Sequence, residues 1–201
     1  MEGLLLCGGR SVRMGRDKAE LEHEGSSLLA RGLSCLSAVA APVRLACGPR
    51  ERYIDSGHER VLDAWPDGGP LAGLLAGLER ARGDLVAVLA VDMPDVRAEH
   101  FLALAELARN ADLDVALLTG ARGDEPLCSV VHRRVAPLVR AALERGERRM
   151  VAFHGAGVRV GRLAAAGLIR EGADACRNLN TPADFAAWCG SRSSAVEAGA
   201  R

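Results

Sequence analysis

The stretch Leu4–Lys18, "LLLCGGRSVRMGRDK", decides the fold. A short apolar run ends at two adjacent glycines, and four cations follow closely: Arg10, Arg13, Arg16 and Lys18. The run predicts a buried strand over Gly3–Cys7 that leads into a glycine loop. Such a loop lets backbone N–H groups approach a ligand, and a following helix N-terminus adds positive charge. The stretch therefore indicates a phosphate site, with a solvated basic loop as the alternative.

The spacing of this loop excludes two common phosphate motifs. It matches neither GxxxxGK[ST], the P-loop, nor GxGxxG, the dinucleotide fingerprint. What the loop offers instead is fixed cations beside backbone amides. That combination suits a triphosphate, which carries several negative charges.

The rest of the chain alternates between short apolar runs and amphipathic segments. Strands are predicted at 43–47, 61–62, 84–91, 115–118 and 127–131, and helices at 28–40, 71–82, 98–109, 135–144 and from Thr181 onward. Alternation of this kind predicts an α/β three-layer sandwich with a mostly parallel central sheet. We expect one domain over 1–190 and a mobile tail over 191–201. Residues 150–177 give no clear pattern.

A second candidate for a functional residue follows the most apolar predicted strand. Asp92 comes directly after "DLVAVLAV", at a strand end where α/β sheets bind ligands. A carboxylate there either caps the next turn or binds a hard cation. Opposite a cationic phosphate loop, a Mg²⁺ ligand is the favoured interpretation. Asp63 ends a neighbouring predicted strand and is expected to approach the same cleft.

Composition limits the classes of function. The 201 residues carry 26 Lys+Arg and 26 Asp+Glu, so no global basic field favours nucleic acid. The six cysteines are scattered without a CxxC pair, which predicts reduced thiols rather than disulfides or zinc ligands. The apolar start is too short for a signal peptide, and no run is long enough for a membrane span. We therefore expect a cytoplasmic protein that binds neither nucleic acid nor membrane.

Four segments in this order resemble one family: "LCGGRSVRMGRDK", "GPLAGL", "VDMP" and "NLNTP". They are similar to the molybdenum cofactor guanylyltransferase family, which has a Rossmann-like nucleotidyltransferase fold. The family's opening motif is LAGGxSxRMGxDK, and this chain departs from it only by Cys7 in place of alanine. The likeness runs from about Leu4 to Trp188. It implies transfer of GMP from GTP to the terminal phosphate of molybdopterin, with or without its molybdenum, using Mg²⁺ and releasing pyrophosphate.

The resemblance also implies roles for individual residues. Catalysis is expected from Lys18, Arg13 and Asp92, with Asp92 holding the metal. The nucleotide is expected to contact Leu6, Cys7, Gly8, Gly9, Lys18, Asp63 and Asp92, and the acceptor Asn178, Asn180 and Arg148. GTP and molybdopterin are the implied substrates, and maturation proteins of molybdoenzymes are the implied partners. One departure is that "RLACG" lacks the asparagine with which some members contact the base.

Three other functions stay open at this point. A related transferase uses CTP, although that group more often has "AAG" where this chain has Cys7-Gly8-Gly9. A sugar-phosphate nucleotidyltransferase shares the loop, and a nucleotide-binding module without turnover is a different class. Because Gly8 leaves room for a bicyclic purine beside the first turn, GTP is preferred over CTP.

Overall fold

The computed structural model describes residues 1–8, 17–65, 67–155, 157–166, 168 and 174–199, with the backbone alone for 193–199. Its strands are β1 Glu2–Leu6, β2 Glu22–His23, β3 Ser26–Ser27, β4 Val43–Ala46, β5 Glu59–Val61, β6 Leu85–Ala90, β7 Val115–Gly120, β8 Gly123–His132 and β9 Val160–Ala164. Its α-helices are α1 Leu28–Ser37, α2 Gly69–Arg80, α3 Ala98–Asn110, α4 Ala136–Glu144 and α5 Pro182–Gly199.

Seven strands form the central sheet in the order β5-β4-β1-β6-β8-β7-β9, and β2 pairs with β3 in a small hairpin. Every neighbouring pair in the large sheet is parallel except those made by β8, which runs antiparallel to β6 and β7. The predicted α/β fold with a mostly parallel sheet is therefore confirmed.

Helices cover both faces of the sheet because the strand residues alternate between them. Leu4 and Leu6 face the layer of α2 and α4, whereas Leu5 and Cys7 face the layer of α1 and α3. Successive strand side chains point to opposite faces, so an unbroken apolar run such as β1 must be covered twice. Because β1 is parallel to both β4 and β6, the carboxyl ends of these three strands lie at one edge of the sheet.

Side chains cap the starts of two helices. Ser27 Oγ accepts a hydrogen bond from Ala30 N at 3.1 Å and begins α1. Thr181 and Asp184 cap α5 reciprocally: Thr181 Oγ1 accepts from Asp184 N at 3.1 Å, and Asp184 Oδ2 accepts from Thr181 N at 2.8 Å. Both caps satisfy backbone donors that a helix start leaves without partners.

The structure adds elements that the sequence pattern does not predict. The unassigned region 150–177 contains β9, which pairs in parallel with β7 at the sheet edge. The predicted strand 127–131 is the second half of the longer β8. The segment 191–199 continues α5 as far as Gly199, and the mobility of this tail stays a prediction. None of the helices in the described ranges is long and apolar enough to cross a membrane.

Candidate functional site

A cleft of about 1270 Å³ opens at the carboxyl ends of β1, β4 and β6. The loops after these strands form its floor, and the first turn of α2 forms part of its wall. That turn directs the positive end of the helix dipole towards the cleft. The lining residues are Leu6, Cys7, Gly8, Asp17, Lys18, Cys47, Gly48, Pro49, Arg50, Arg52, Asp63, Trp65, Asp67, Gly68, Gly69, Pro70, Gly73, Ala90, Val91, Asp92, Leu127 and Asn180.

Gly8 is required where the turns after β1 and β4 touch. A Cβ atom on Gly8 would lie 2.5 Å from Gly48 N, closer than any side chain tolerates. Gly48 itself has φ +77°, in the left-handed region that favours glycine. The prediction that Gly8 leaves room for a purine is therefore corrected, because the backbone of Cys47 and Gly48 fills the space beside it.

Three residues from distant segments meet in this cleft. Lys18 Nζ lies 3.0 Å from Asp92 Oδ2 and 3.1 Å from Asn180 Oδ1. The side chains of Lys18 and Asp92 are each 17% exposed, so the ion pair is shielded more than an ordinary surface pair. The structure thus brings together a cation, an anion and an amide that the sequence motifs carry separately.

Neighbouring contacts fix the two charged residues. Asp92 O accepts a hydrogen bond from Leu179 N at 2.9 Å, which ties the loop after β6 to the segment before α5. Asp17 caps the short 3₁₀ turn Lys18–Glu20, because its Oδ1 accepts from Ala19 N at 3.1 Å. Both contacts reduce the freedom with which the Lys18–Asp92 pair can move.

Asp63 lines the same cleft beyond β5. Its backbone N donates to Gly48 O at 3.2 Å, which holds the loop after β5 against the turn after β4. Burial raises the pKa of the Asp63 carboxyl above its ordinary value. Its carboxyl is therefore a hydrogen-bond acceptor whose charge is poorly solvated in the cleft.

Only some of the other predicted site residues lie in the cleft. Leu6, Cys7, Gly8 and Asn180 line the cleft, whereas Asn178 and Arg148 do not. Asn178 Nδ2 donates to Glu125 Oε2 at 2.7 Å, and Arg148 Nε donates to Asp67 O at 3.1 Å. Arg148 thereby supports the rim of the cleft. Gly9 and Arg13 lie outside the described residues.

The residues present fit a divalent cation at Asp92. Asp92 Oδ1 is buried and has no hydrogen-bond partner among the described residues, while Oδ2 pairs with Lys18. An unsatisfied buried carboxylate oxygen is costly unless a ligand completes it. Within the described ranges no group of three or more His, Cys, Asp or Glu forms a metal cluster. One carboxylate with oxygens from a substrate is the donor set that Mg²⁺ commonly takes.

Sequence reasoning missed several polar residues of the cleft, notably Asp17, Arg50, Arg52 and Asp67. Asp17 stands next to Lys18 in the opening motif, so its position was available as a signal. The arginines follow β4 in "CGPRERY". This segment is a second basic loop at the sheet edge where ligands bind, and that position is the signal that indicates the two arginines.

Comparison with known proteins decides the family. The MobA-like NTP transferase domain matches residues 3–159. A probable molybdenum cofactor guanylyltransferase of Opitutus terrae is 36% identical over 188 residues, covering 92% of each chain. A molybdenum cofactor guanylyltransferase of Serratia proteamaculans is 34% identical over 190 residues, again covering 92% of each chain. The chain belongs to the molybdenum cofactor guanylyltransferase family. The resemblance carried by its four motifs is therefore confirmed, and the chain is a nucleotidyltransferase.

Solved structures support the fold. Molybdopterin-guanine dinucleotide biosynthesis protein A from Archaeoglobus fulgidus superposes with a TM-score of 0.79 at 22% identity, over 96% of this chain and all of that one. A 2-C-methyl-D-erythritol 4-phosphate cytidylyltransferase from Thermus thermophilus reaches 0.67 at 19% identity, over 93% and 97%. At these identities the likeness establishes the Rossmann-like nucleotidyltransferase fold alone.

Proposed function

We propose that this protein transfers GMP from GTP to the terminal phosphate of molybdopterin, forming the guanine dinucleotide cofactor and pyrophosphate. The observation that supports this most is the convergence of Lys18, Asp92 and Asn180 in one cleft. They come from three of the four sequence motifs that carry the resemblance to this family. Delivery of the product to maturation proteins of molybdoenzymes is part of the proposal.

The reaction needs positioning and charge more than proton transfer. A phosphate monoester has a second pKa of about 6, so the acceptor oxygen is largely ionised at neutral pH. It attacks the α-phosphorus of GTP, and the bond to the β-phosphate oxygen breaks. No general base or covalent enzyme intermediate is required, which agrees with the absence of histidine from the described lining of the cleft.

The proposed catalytic residues supply or hold positive charge against the negative phosphates of GTP. Lys18 binds the triphosphate, and Arg13 is proposed to do the same. Asp92 holds Mg²⁺, which when bound supplies positive charge against the phosphate oxygens. Asn180 keeps Lys18 in place through its Oδ1 atom. The dipole of α2 adds positive potential at the same edge.

The base is proposed to be guanine. Guanine carries N1–H and N2–H₂ donors, and Asp63 places an acceptor in the cleft. Leu6 O, another acceptor near this edge, already accepts a hydrogen bond from Val91 N at 3.0 Å. A site that pairs guanine's donors leaves groups unpaired when cytosine enters, at a cost of about 1–3 kcal/mol for each buried group.

Competition between GTP and CTP tests the proposal. The protein is incubated with both nucleotides at equal concentration, Mg²⁺ and molybdopterin, and the product is identified by mass. We expect a guanine dinucleotide and one pyrophosphate per product. A cytosine dinucleotide would indicate a cytidylyltransferase. Turnover that occurs only when a sugar phosphate replaces molybdopterin would indicate a sugar-phosphate nucleotidyltransferase. Binding of GTP without pyrophosphate release would indicate a binding module.

A further inference from the structure

Two buried thiols lie side by side where the floor of the cleft meets the core, and Cys7 is 3% and Cys47 1% exposed. Cys7 follows β1 and Cys47 follows β4, two neighbouring parallel strands in which Leu6 is opposite Ala46. Their Sγ atoms are 3.9 Å apart, and both residues line the cleft. The distance is that of a hydrogen bond between the two thiols, in which either sulfur can be the donor, at the point where the turns after the two strands touch.

The fold does not explain the thiol at position 7. The family motif LAGGxSxRMGxDK has alanine there. Cys7 adds a sulfur, and that sulfur faces Cys47. Packing therefore accounts for a small apolar side chain at this position, but the paired sulfurs are a property of this chain.

The surroundings make the two thiols unequal. The hydrogen bond with Cys7 lowers the pKa of Cys47, and the positive charges of Arg60 and Arg52 add to this effect, against the opposing effect of burial. The same hydrogen bond and burial raise the pKa of Cys7. Cys47 is therefore the thiol that ionises first, and Cys7 is the one that keeps its proton.

We propose that Cys7 and Cys47 form a dithiol modification site, which hydrogen peroxide or another two-electron oxidant converts to a disulfide that weakens nucleotide binding in the cleft. The formation of the disulfide is independent of the proposed function. The effect on nucleotide binding rests on it, because the cleft is the proposed GTP site.

The chemistry balances with one peroxide. The Cys47 thiolate attacks the peroxide, a sulfur–oxygen bond forms, and the O–O bond breaks to release hydroxide, which takes a proton to become water. The Cys7 sulfur then attacks the Cys47 sulfenic acid, so that the S–S bond forms and the S–O bond breaks. The departing hydroxide takes the Cys7 proton. Two thiols are oxidised and one peroxide is reduced to two waters.

Disulfide formation moves two side chains at the floor of the cleft. A disulfide holds its sulfurs about 2 Å apart, so the two atoms must approach by roughly that much from their present 3.9 Å. The turns at Gly8 and Gly48 are already in backbone contact. We expect the disulfide to pull on these turns and so to shift the floor of the cleft, and a shift of about 1 Å at a functional site can cost about tenfold or more in function.

The test combines mass analysis with binding. The reduced protein and the protein treated with hydrogen peroxide are digested without reductant, and GTP binding is measured on each by calorimetry. We expect a Cys7–Cys47 linked peptide, GTP affinity about tenfold weaker after peroxide, and recovery with dithiothreitol. Each variant is compared with its own reduced form.

Two variants sharpen the result. In Cys7→Ala, which restores the family residue, peroxide should neither link the peptides nor change GTP affinity. Cys35→Ala removes a thiol on α1 whose pKa burial raises to about 12, and this control should respond to peroxide as the wild type does. Absence of the linked peptide would overturn the site, and a linked peptide with unchanged GTP affinity would overturn its effect on binding. Failure of the proposed function shows separately, as a reduced protein that binds no GTP.

Discussion

Asp92 is the residue on which the proposed chemistry of the cleft depends most. It follows the central strand β6, and its backbone oxygen is held by Leu179 N. One side-chain oxygen pairs with Lys18, and the other is buried with no partner in the described part of the chain. A carboxylate used only as a turn cap would direct its oxygens at nearby backbone donors. The arrangement of Asp92 favours a cation ligand instead.

Replacing Asp92 by asparagine should abolish most of the transfer while leaving the fold intact. Asp92→Asn keeps the shape and an oxygen for Lys18 but removes the charge that would hold Mg²⁺. We expect pyrophosphate release to fall by about 100-fold or more, with a melting temperature close to that of the wild type. Asp55→Asn, at an exposed position outside the cleft, is the matched control. A rate within a few-fold of the wild type would assign Asp92 to a structural role.

The segment between β4 and β5 makes direct hydrogen bonds to the opening motif, although the two are far apart in the sequence. Tyr53 hydroxyl donates to Asp17 Oδ2 at 2.8 Å, and Arg52 donates to the same oxygen. Burial and the neighbouring Asp17 raise the pKa of Tyr53, so the hydroxyl stays protonated and remains a donor. Since the other oxygen of Asp17 caps the turn that carries Lys18, this segment positions the lysine in the cleft.

Removing the Tyr53 hydroxyl should therefore weaken GTP binding through Lys18. For Tyr53→Phe we expect about tenfold weaker GTP affinity, the equivalent of one hydrogen bond to a charged group. The same change in a Lys18→Ala background should cost little further affinity, whereas any loss of thermal stability should be equal in both backgrounds. Calorimetry on the four proteins measures the coupling. Equal losses of affinity with and without Lys18 would contradict a positioning role.

Such contacts mark the limit of prediction from sequence at the scale of elements. The loop after β1 and the aspartate after β6 are local patterns, and both were predicted to reach one edge of the sheet. The contact of Tyr53 with Asp17 joins positions far apart in the chain, and no local pattern encodes it. Asn178 is expected at the acceptor, and its Nδ2 donates to Glu125 on β8, whose N-terminal half the sequence did not indicate.

At the scale of the whole molecule, the fold was predictable where strands are covered on both faces. β1 and β6 are continuous apolar runs, because each is buried between two helical layers. β9 is an edge strand whose residues are partly buried or exposed, so its pattern is weak. The antiparallel direction of β8 was also not predicted, since the apolar run of a central strand carries no information on its direction.

A buried ion pair joins the sheet at the edge opposite the cleft. Glu2 at the start of β1 is 5% exposed, as is Arg44 on β4. Glu2 Oε2 pairs with Arg44, and its Oε1 accepts from Arg82 N at 2.7 Å and Gly83 N at 2.5 Å. Arg44 Nε in turn donates to Glu59 Oε2 at 2.7 Å. These bonds connect β1, β4, β5 and the loop before β6.

Glu2→Gln should destabilise the protein at neutral pH and much less in acid. Burial acts to raise the pKa of Glu2, but the hydrogen bonds from Arg44, Gly83 and Arg82 outweigh it and hold the pKa below its ordinary value. A carboxyl whose pKa is lowered by folding stabilises the fold above its unfolded pKa of about 4.3. That contribution is lost as the pH falls through the lower, folded pKa.

Urea unfolding at pH 7 should therefore show that Glu2→Gln lowers the free energy of unfolding by about 2 kcal/mol, and the difference from the wild type should shrink below about pH 4. Glu79→Gln, which breaks only the surface pair with Arg140, should change the free energy of unfolding by less than about 0.5 kcal/mol. A Glu2→Gln deficit that is as large at pH 3 as at pH 7 would show that the charge of Glu2 is not what stabilises this edge.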